Sequence, residues 1–141
     1  MFSIEVPAGR LLVARIASPI DLPEVAEFRR TLGTAFAKIP GKAVICCDLR
    51  AARLFPPEVA TAFVAIMKSD NPKLERSMFL CAEGAVFSLQ IERMIREAGS
   101  PLRRAFRDAA ELQTSVVDLL DEDERRGLRA FIEAGRASAG G

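Results

Sequence analysis

The sequence contains no histidine, no tryptophan and no tyrosine, and only three cysteines in 141 residues. Each absence removes a class of chemistry. Without histidine, the base that most often activates a serine or cysteine nucleophile is missing, and so is a common zinc ligand. The cysteines form no CxxC pair, since Cys46 and Cys47 are adjacent and Cys81 stands apart. Zinc sites of the common kinds are thereby excluded, and the thiols read as buried and reduced, which suits a reducing cytoplasm. The lack of Trp and Tyr leaves little to stack single-stranded bases on. Charge of one sign is not in surplus: 20 basic residues meet 19 acidic ones, whereas a general nucleic-acid or anionic-membrane binder needs excess positive charge. No apolar run approaches the roughly 18 residues of a membrane span. The opening "MFSIEVPAGR" lacks the apolar run of a signal peptide. Neither GxxxxGK[ST] nor GxGxxG occurs. We therefore expect no metal, no cofactor and no nucleic acid.

What is present is ordinary globular composition, 50% hydrophobic and 28% charged. The length suits one domain, which we place at residues 1–134. The small residues of "GRASAGG" predict a flexible tail over 135–141.

Hydrophobic periodicity sets the element order. "FSIEV" alternates Phe2, Ile4 and Val6 on one face, "PAGR" is a turn signal, and "LLVARIA" alternates again, so an antiparallel hairpin is predicted. Asp21 and Glu24 have the spacing of a capping box. Behind them Leu22, Val25, Phe28, Leu32, Ala35, Phe36 and Ile39 form a helical stripe that ends at Pro40–Gly41. "AVICCDL" is apolar on both faces, as a central covered strand must be. A helix from about Pro57 carries Val59, Phe63, Ile66 and Met67, and Pro57 suits its first turn. A strand over Ser77–Ala82, a helix with Phe87, Ile91, Met94, Ile95 and Ala98 inward, and a short strand in "LRRAFR" follow. Asp108 opens a fourth helix. Asp121 and Glu124, a second capping box, open a fifth, docked by Leu128, Phe131 and Ile132, with Gly127 costing it about 1 kcal/mol. The fold class is therefore α/β: a mixed, mostly parallel sheet of four to five strands with helices packed on it and an extra C-terminal helix.

The crossing "CCDLRAARLFPPEVATAF", from Cys46 to Phe63, leaves a central strand and enters a helix, where α/β proteins place their ligands. It carries no serine, threonine, histidine or lysine before Thr61. Asp48 ends the strand, and it either meets a ligand there or accepts loop N–H groups and fixes the turn. Elsewhere, Gly84 in "AEGAV" precedes a helix, and Arg93, Arg96, Arg103, Arg104 and Arg107 form a basic region interleaved with Glu92, Glu97, Asp108 and Glu111. A lone glycine reads as a turn, and the charge mixture reads as a solvated, locally paired face.

The element order, with "DLRAARLFPPEVA" at its centre, resembles the STAS family (sulfate transporters and anti-sigma-factor antagonists), and within it the small, free-standing antagonist-like branch. "GRLLVARIASPIDLPEVAEFRRTL" looks like the family's second strand and first helix. "KAVICCDLRAARLF" is similar to the strand that ends in Asp-Leu, "RSMFLCAEG" to the next strand, and "LRRAFRDAAELQTSVVDLL" to the last strand and closing helix. The similarity covers residues 2–120. In switching members, a serine or threonine at the start of the second helix is phosphorylated by a partner kinase, which releases or blocks a binding partner. Matching Asp48–Leu49 to the family's Asp-Leu puts that acceptor at about Pro57, behind Pro56, where no hydroxyl exists. Thr61 is the nearest hydroxyl, about one helical turn further in.

The resemblance thus implies a non-catalytic, cytoplasmic, bacterial-type regulatory domain that binds a protein partner without the usual phospho-switch. Two prolines stiffen the crossing, which lowers the ordering cost of docking. Leu54 and Phe55 then present apolar contact area beside Asp48, Arg50, Arg53, Pro56, Pro57 and Glu58, or else both fold into the core. Some antagonist-like domains of this general fold are thought to hold apolar ligands between sheet and helices, so a carrier of an apolar small ligand is an alternative. A structural homo-oligomer, such as a homodimer paired through the hairpin or the final helix, is another.

Overall fold

The period-2 segments at the start of the chain close into the expected hairpin. In a computed structural model that describes residues 1–82 and 84–140, strand β1 (Phe2–Ala8) pairs antiparallel with β2 (Leu11–Ile16), Phe2 opposite Ile16 and Ala8 opposite Leu11. Gly9 turns the chain at a φ of +50°, a left-handed conformation that costs glycine nothing sterically. Strands β3 (Ala43–Asp48), β4 (Leu74–Leu80) and β5 (Arg103–Phe106) add in parallel, so the sheet runs β1-β2-β3-β4-β5. β4 starts three residues earlier than expected because its ladder with β3 begins at Leu74 opposite Ala43. Cys81 falls just beyond its end.

Parallel neighbours need crossovers. These are α1 (Leu22–Ala37), α2 (Pro57–Asp70) and α3 (Ala85–Ala98). Every crossover steps one strand in the same direction, and right-handed connection is the rule, so all three helices cover one face. Helices α4 (Ala109–Val116) and α5 (Glu122–Gly140) cover the other. The alternation of β2 and β3 divides their side chains between two cores. Leu12, Ala14, Ile16, Ile45 and Cys47 meet α1–α3, while Leu11, Val13, Val44 and Cys46 meet α4 and α5. Each fully buried aliphatic side chain contributes about 1.5–3 kcal/mol. This is why β3 reads apolar at every position from Ala43 to Cys47.

Capping fixes the helix starts. Asp21 accepts from the Glu24 N–H at 3.0 Å, and Asp108 accepts from Ala110 and Glu111. At α5 the box is reciprocal: Glu124 N–H donates to Asp121 at 2.8 Å, and Asp121 N–H donates back to Glu124 Oε1 at 2.9 Å. The second oxygen of Glu124 accepts from the Arg10 N–H at 2.9 Å, which ties α5 to the hairpin turn. Leu128 and Ile132 are buried and Phe131 is partly so, as the stripe predicts. The segment expected as a flexible tail is instead helical through Gly140, and Gly141 lies outside the described residues. Gly127, expected only to weaken α5, lets it approach the hairpin: a Cβ there stands 3.1 Å from Pro7.

Candidate interaction site

The connections after β2, β3 and β4 all emerge at the carboxyl end of the parallel strands, the end where open α/β sheets present ligands. The middle connection, residues 49–56, is the segment singled out in the sequence. Its backbone is tied at almost every step. Leu49 N–H donates to Leu80 O, Ala52 N–H to Leu49 O, and Ser18 N–H to Ala51 O. Arg53 N–H donates to Ser18 Oγ at 2.8 Å. Gln90 of α3 clamps Phe55 from both sides, accepting its N–H and donating to its carbonyl, each at 2.9 Å. Pro56 and Pro57 then fix φ at the start of α2.

This rigid loop divides the predicted contact residues into two groups. Asp48 is only 2% exposed. It accepts from Arg50 N–H at 3.0 Å, from Arg50 Nε at 2.9 Å and from Arg15 Nε at 3.1 Å. Burial pushes the Asp48 carboxyl up, but the hydrogen bonds from Arg50 and Arg15 outweigh it and hold the group below its ordinary value. Asp48 therefore fixes the turn.

Arg50 lies beneath α5 and donates to Ile132 O, and Arg15 donates to Phe131 O, both at 2.6 Å. Gly135 makes this seat possible, since a Cβ there stands 2.7 Å from both guanidiniums. Phe55 is buried, with its ring centroid 5.1 Å from that of Phe63 and 5.4 Å from that of Phe87. Its placement on a contact surface is corrected: the aromatic cluster under the loop takes it inward. Asp48 and Arg50 are corrected likewise, because α5 crosses over them. Arg53, Leu54, Pro56, Pro57 and Glu58 stand exposed.

The neighbouring connections add apolar surface that the sequence reading missed. Leu22 opens α1 at 46% exposure, Leu54 precedes α2 at 54%, and Val86 and Leu89 lie in the first turns of α3 at 64% and 62%. Leu22, expected on the inward stripe, faces out instead. The signal for Val86 and Leu89 was available: they are apolar residues off the stripe of Phe87, Ile91 and Met94, where polar ones belong.

Other candidate features go elsewhere. Arg103 is buried, donating to Asn71 Oδ1, Ser77 Oγ and Met67 O. Arg93 pairs with Glu97, and Arg104 lies over the Phe106 ring. The basic region is thus dispersed and not one patch. Burial pushes the thiols up, to about 12 for Cys46 and about 11 for Cys81, so none is a ready nucleophile. Gly84 is the residue before α3, and Glu83 lies outside the described residues. Among the described residues no group of three His, Cys, Asp or Glu side chains is placed to hold a metal. No helix among them is long and apolar enough to cross a membrane. A cavity of about 70 Å³ lies between the sheet and α1–α3, lined mostly by apolar groups such as Phe28, Ile45, Phe63 and Ile91.

No protein-family model, curated protein or solved structure matches this chain.

Proposed function

We propose that the chain is a non-catalytic protein-interaction domain of a cytoplasmic regulatory assembly, similar in its element order to the antagonist-like STAS domains, and that it docks through the carboxyl end of its sheet. The observation that carries this reading is the gathering of Leu22, Leu54, Val86 and Leu89, all exposed, at the starts of the three helices on one face. Exposed apolar side chains collected at one place mark interaction surfaces. The pinned loop presents Leu54, and the helices α1 and α3 present the other three, without further ordering, and preorganisation lowers the cost of binding. Pro57 occupies the first position of α2, so docking here is constitutive and not gated by phosphorylation at that position.

Leu54→Asp tests the reading against Phe55→Ala. Leu54→Asp is expected to leave the thermal melt nearly unchanged and to abolish recovery of a specific partner from native cytosol. Phe55→Ala is expected to cost about 3–5 kcal/mol of stability. A partner retained by Leu54→Asp at wild-type level refutes the docking surface.

A second reading has one observation in its favour. The apolar cavity under α1–α3 suits a carrier of a very small apolar molecule. Its volume is below the roughly 150 Å³ of an engineered cavity that binds benzene, so the docking reading is preferred. Native mass spectrometry of gently purified protein separates the two, since a carrier retains added mass.

A further inference from the structure

The docking surface has a charge asymmetry beside Leu54. Beside Leu54 lies a recess of about 240 Å³, between residues 18–20 and 53–56. That is below the roughly 300–1,000 Å³ of sites for whole small molecules, and it suits one or two side chains of a protein segment. Pro19, Ile20, Leu54 and Pro56 make its walls apolar, and Arg53 is its one charged lining residue among those described. Glu58 is exposed on α2 but outside this lining. Arg50, Arg93 and Arg126 pair with carboxylates, whereas Arg53 forms no ion pair with any described residue. Its backbone N–H is held by Ser18, so the guanidinium is presented from a fixed base. Guanidinium is matched best by a carboxylate, which it grips with paired N–H donors. Apolar walls lower the local dielectric and strengthen such a pair.

We infer that the partner segment places an apolar side chain in this recess and an adjoining aspartate or glutamate on Arg53. The inference rests on the docking reading above and adds the partner's chemistry to it. A basic segment is disfavoured at the same place by repulsion.

The test is selection of displayed random dodecapeptides against the full chain, followed by titration of the enriched peptides into purified variants whose melts match wild type. Enriched peptides are expected to carry an acidic residue beside an aliphatic or aromatic one. Arg53→Glu is expected to weaken them about tenfold, and added salt to weaken the wild-type complex. An Asp→Lys change in the peptide is expected to restore binding to Arg53→Glu. Enriched peptides that lack acidic residues, or that bind Arg53→Glu as well as wild type, overturn the inference. If those same peptides are lost with Leu54→Asp, the docking surface stands without it. Peptides indifferent to Leu54→Asp, or no enrichment at all, overturn both.

Discussion

The same substitution in two helices, Gly33→Ala and Gly135→Ala, is expected to change stability in opposite directions. Gly33 is exposed in α1, with nothing within 4 Å of where a Cβ stands. Replacing it with alanine gains helix propensity of about 1 kcal/mol. Gly135 earns the same propensity gain, but its Cβ stands 2.7 Å from Arg15 Nη2 and Arg50 Nη2, and closer still to Asp48 Oδ2. Either α5 lifts or the cluster parts. Lifting breaks the bonds from Arg15 to Phe131 O and from Arg50 to Ile132 O, both 2.6 Å. Bonds to charged donors contribute about 1.5–3 kcal/mol each. Losing two against the propensity gain leaves a net loss of about 2–5 kcal/mol. Urea unfolding followed by far-ultraviolet circular dichroism gives both midpoints, with the wild type between them. A Gly135→Ala midpoint at or above wild type refutes the seat of α5 on Arg15, Asp48 and Arg50.

Three further outcomes follow from named contacts. The three buried thiols, with Cys46 raised to about 12 and Cys81 to about 11, are expected to resist iodoacetamide at neutral pH and to react fully in urea; rapid native labelling contradicts their burial. Because the Asp48 carboxyl titrates lower in the folded chain than in the unfolded one, its stabilisation is present above the unfolded value, about 3.9, and is lost as the pH falls through the folded one. Asp48→Asn should therefore flatten the acid limb of a stability profile, and an unchanged limb refutes the assignment. Glu124→Ala removes both the return half of the capping box and the acceptor for Arg10 N–H; a loss of about 2–3 kcal/mol is expected in chemical denaturation, and a loss within error of zero contradicts the tie.

The parts of the fold that were legible are those governed by local pattern. The hairpin follows from alternation around "PAGR", the central strand from six consecutive buried positions, and the start of α5 from Asp121 and Glu124. The site was harder because a loop has no period. Leu54 and Phe55 are adjacent and both apolar. Which one points inward is decided by Phe63, Phe87 and Gln90, which lie in other elements. The sequence leaves Asp48 open between a contact surface and the turn it proves to fix, and it places Arg50 on the rim, because nothing near them in sequence covers them; their cover comes from α5, with Arg50 and Ile132 separated by 82 positions. Gly135 looked like the start of a loose tail because the value of a missing Cβ shows only when its neighbour is known.

The sheet order has a consequence for synthesis. Strands that adjoin in space adjoin in the chain, so the α1–α3 side can assemble step by step as the polypeptide leaves the ribosome. The opposite side cannot. Leu11, Val13, Val44, Cys46, Met78 and Leu80 wait for Leu112, Val116, Leu128 and Ile132, and the bond from Arg15 to α5 spans 116 positions. Until that helix is translated, a nascent chain holds a half-clothed sheet whose oily face is a natural substrate for chaperones.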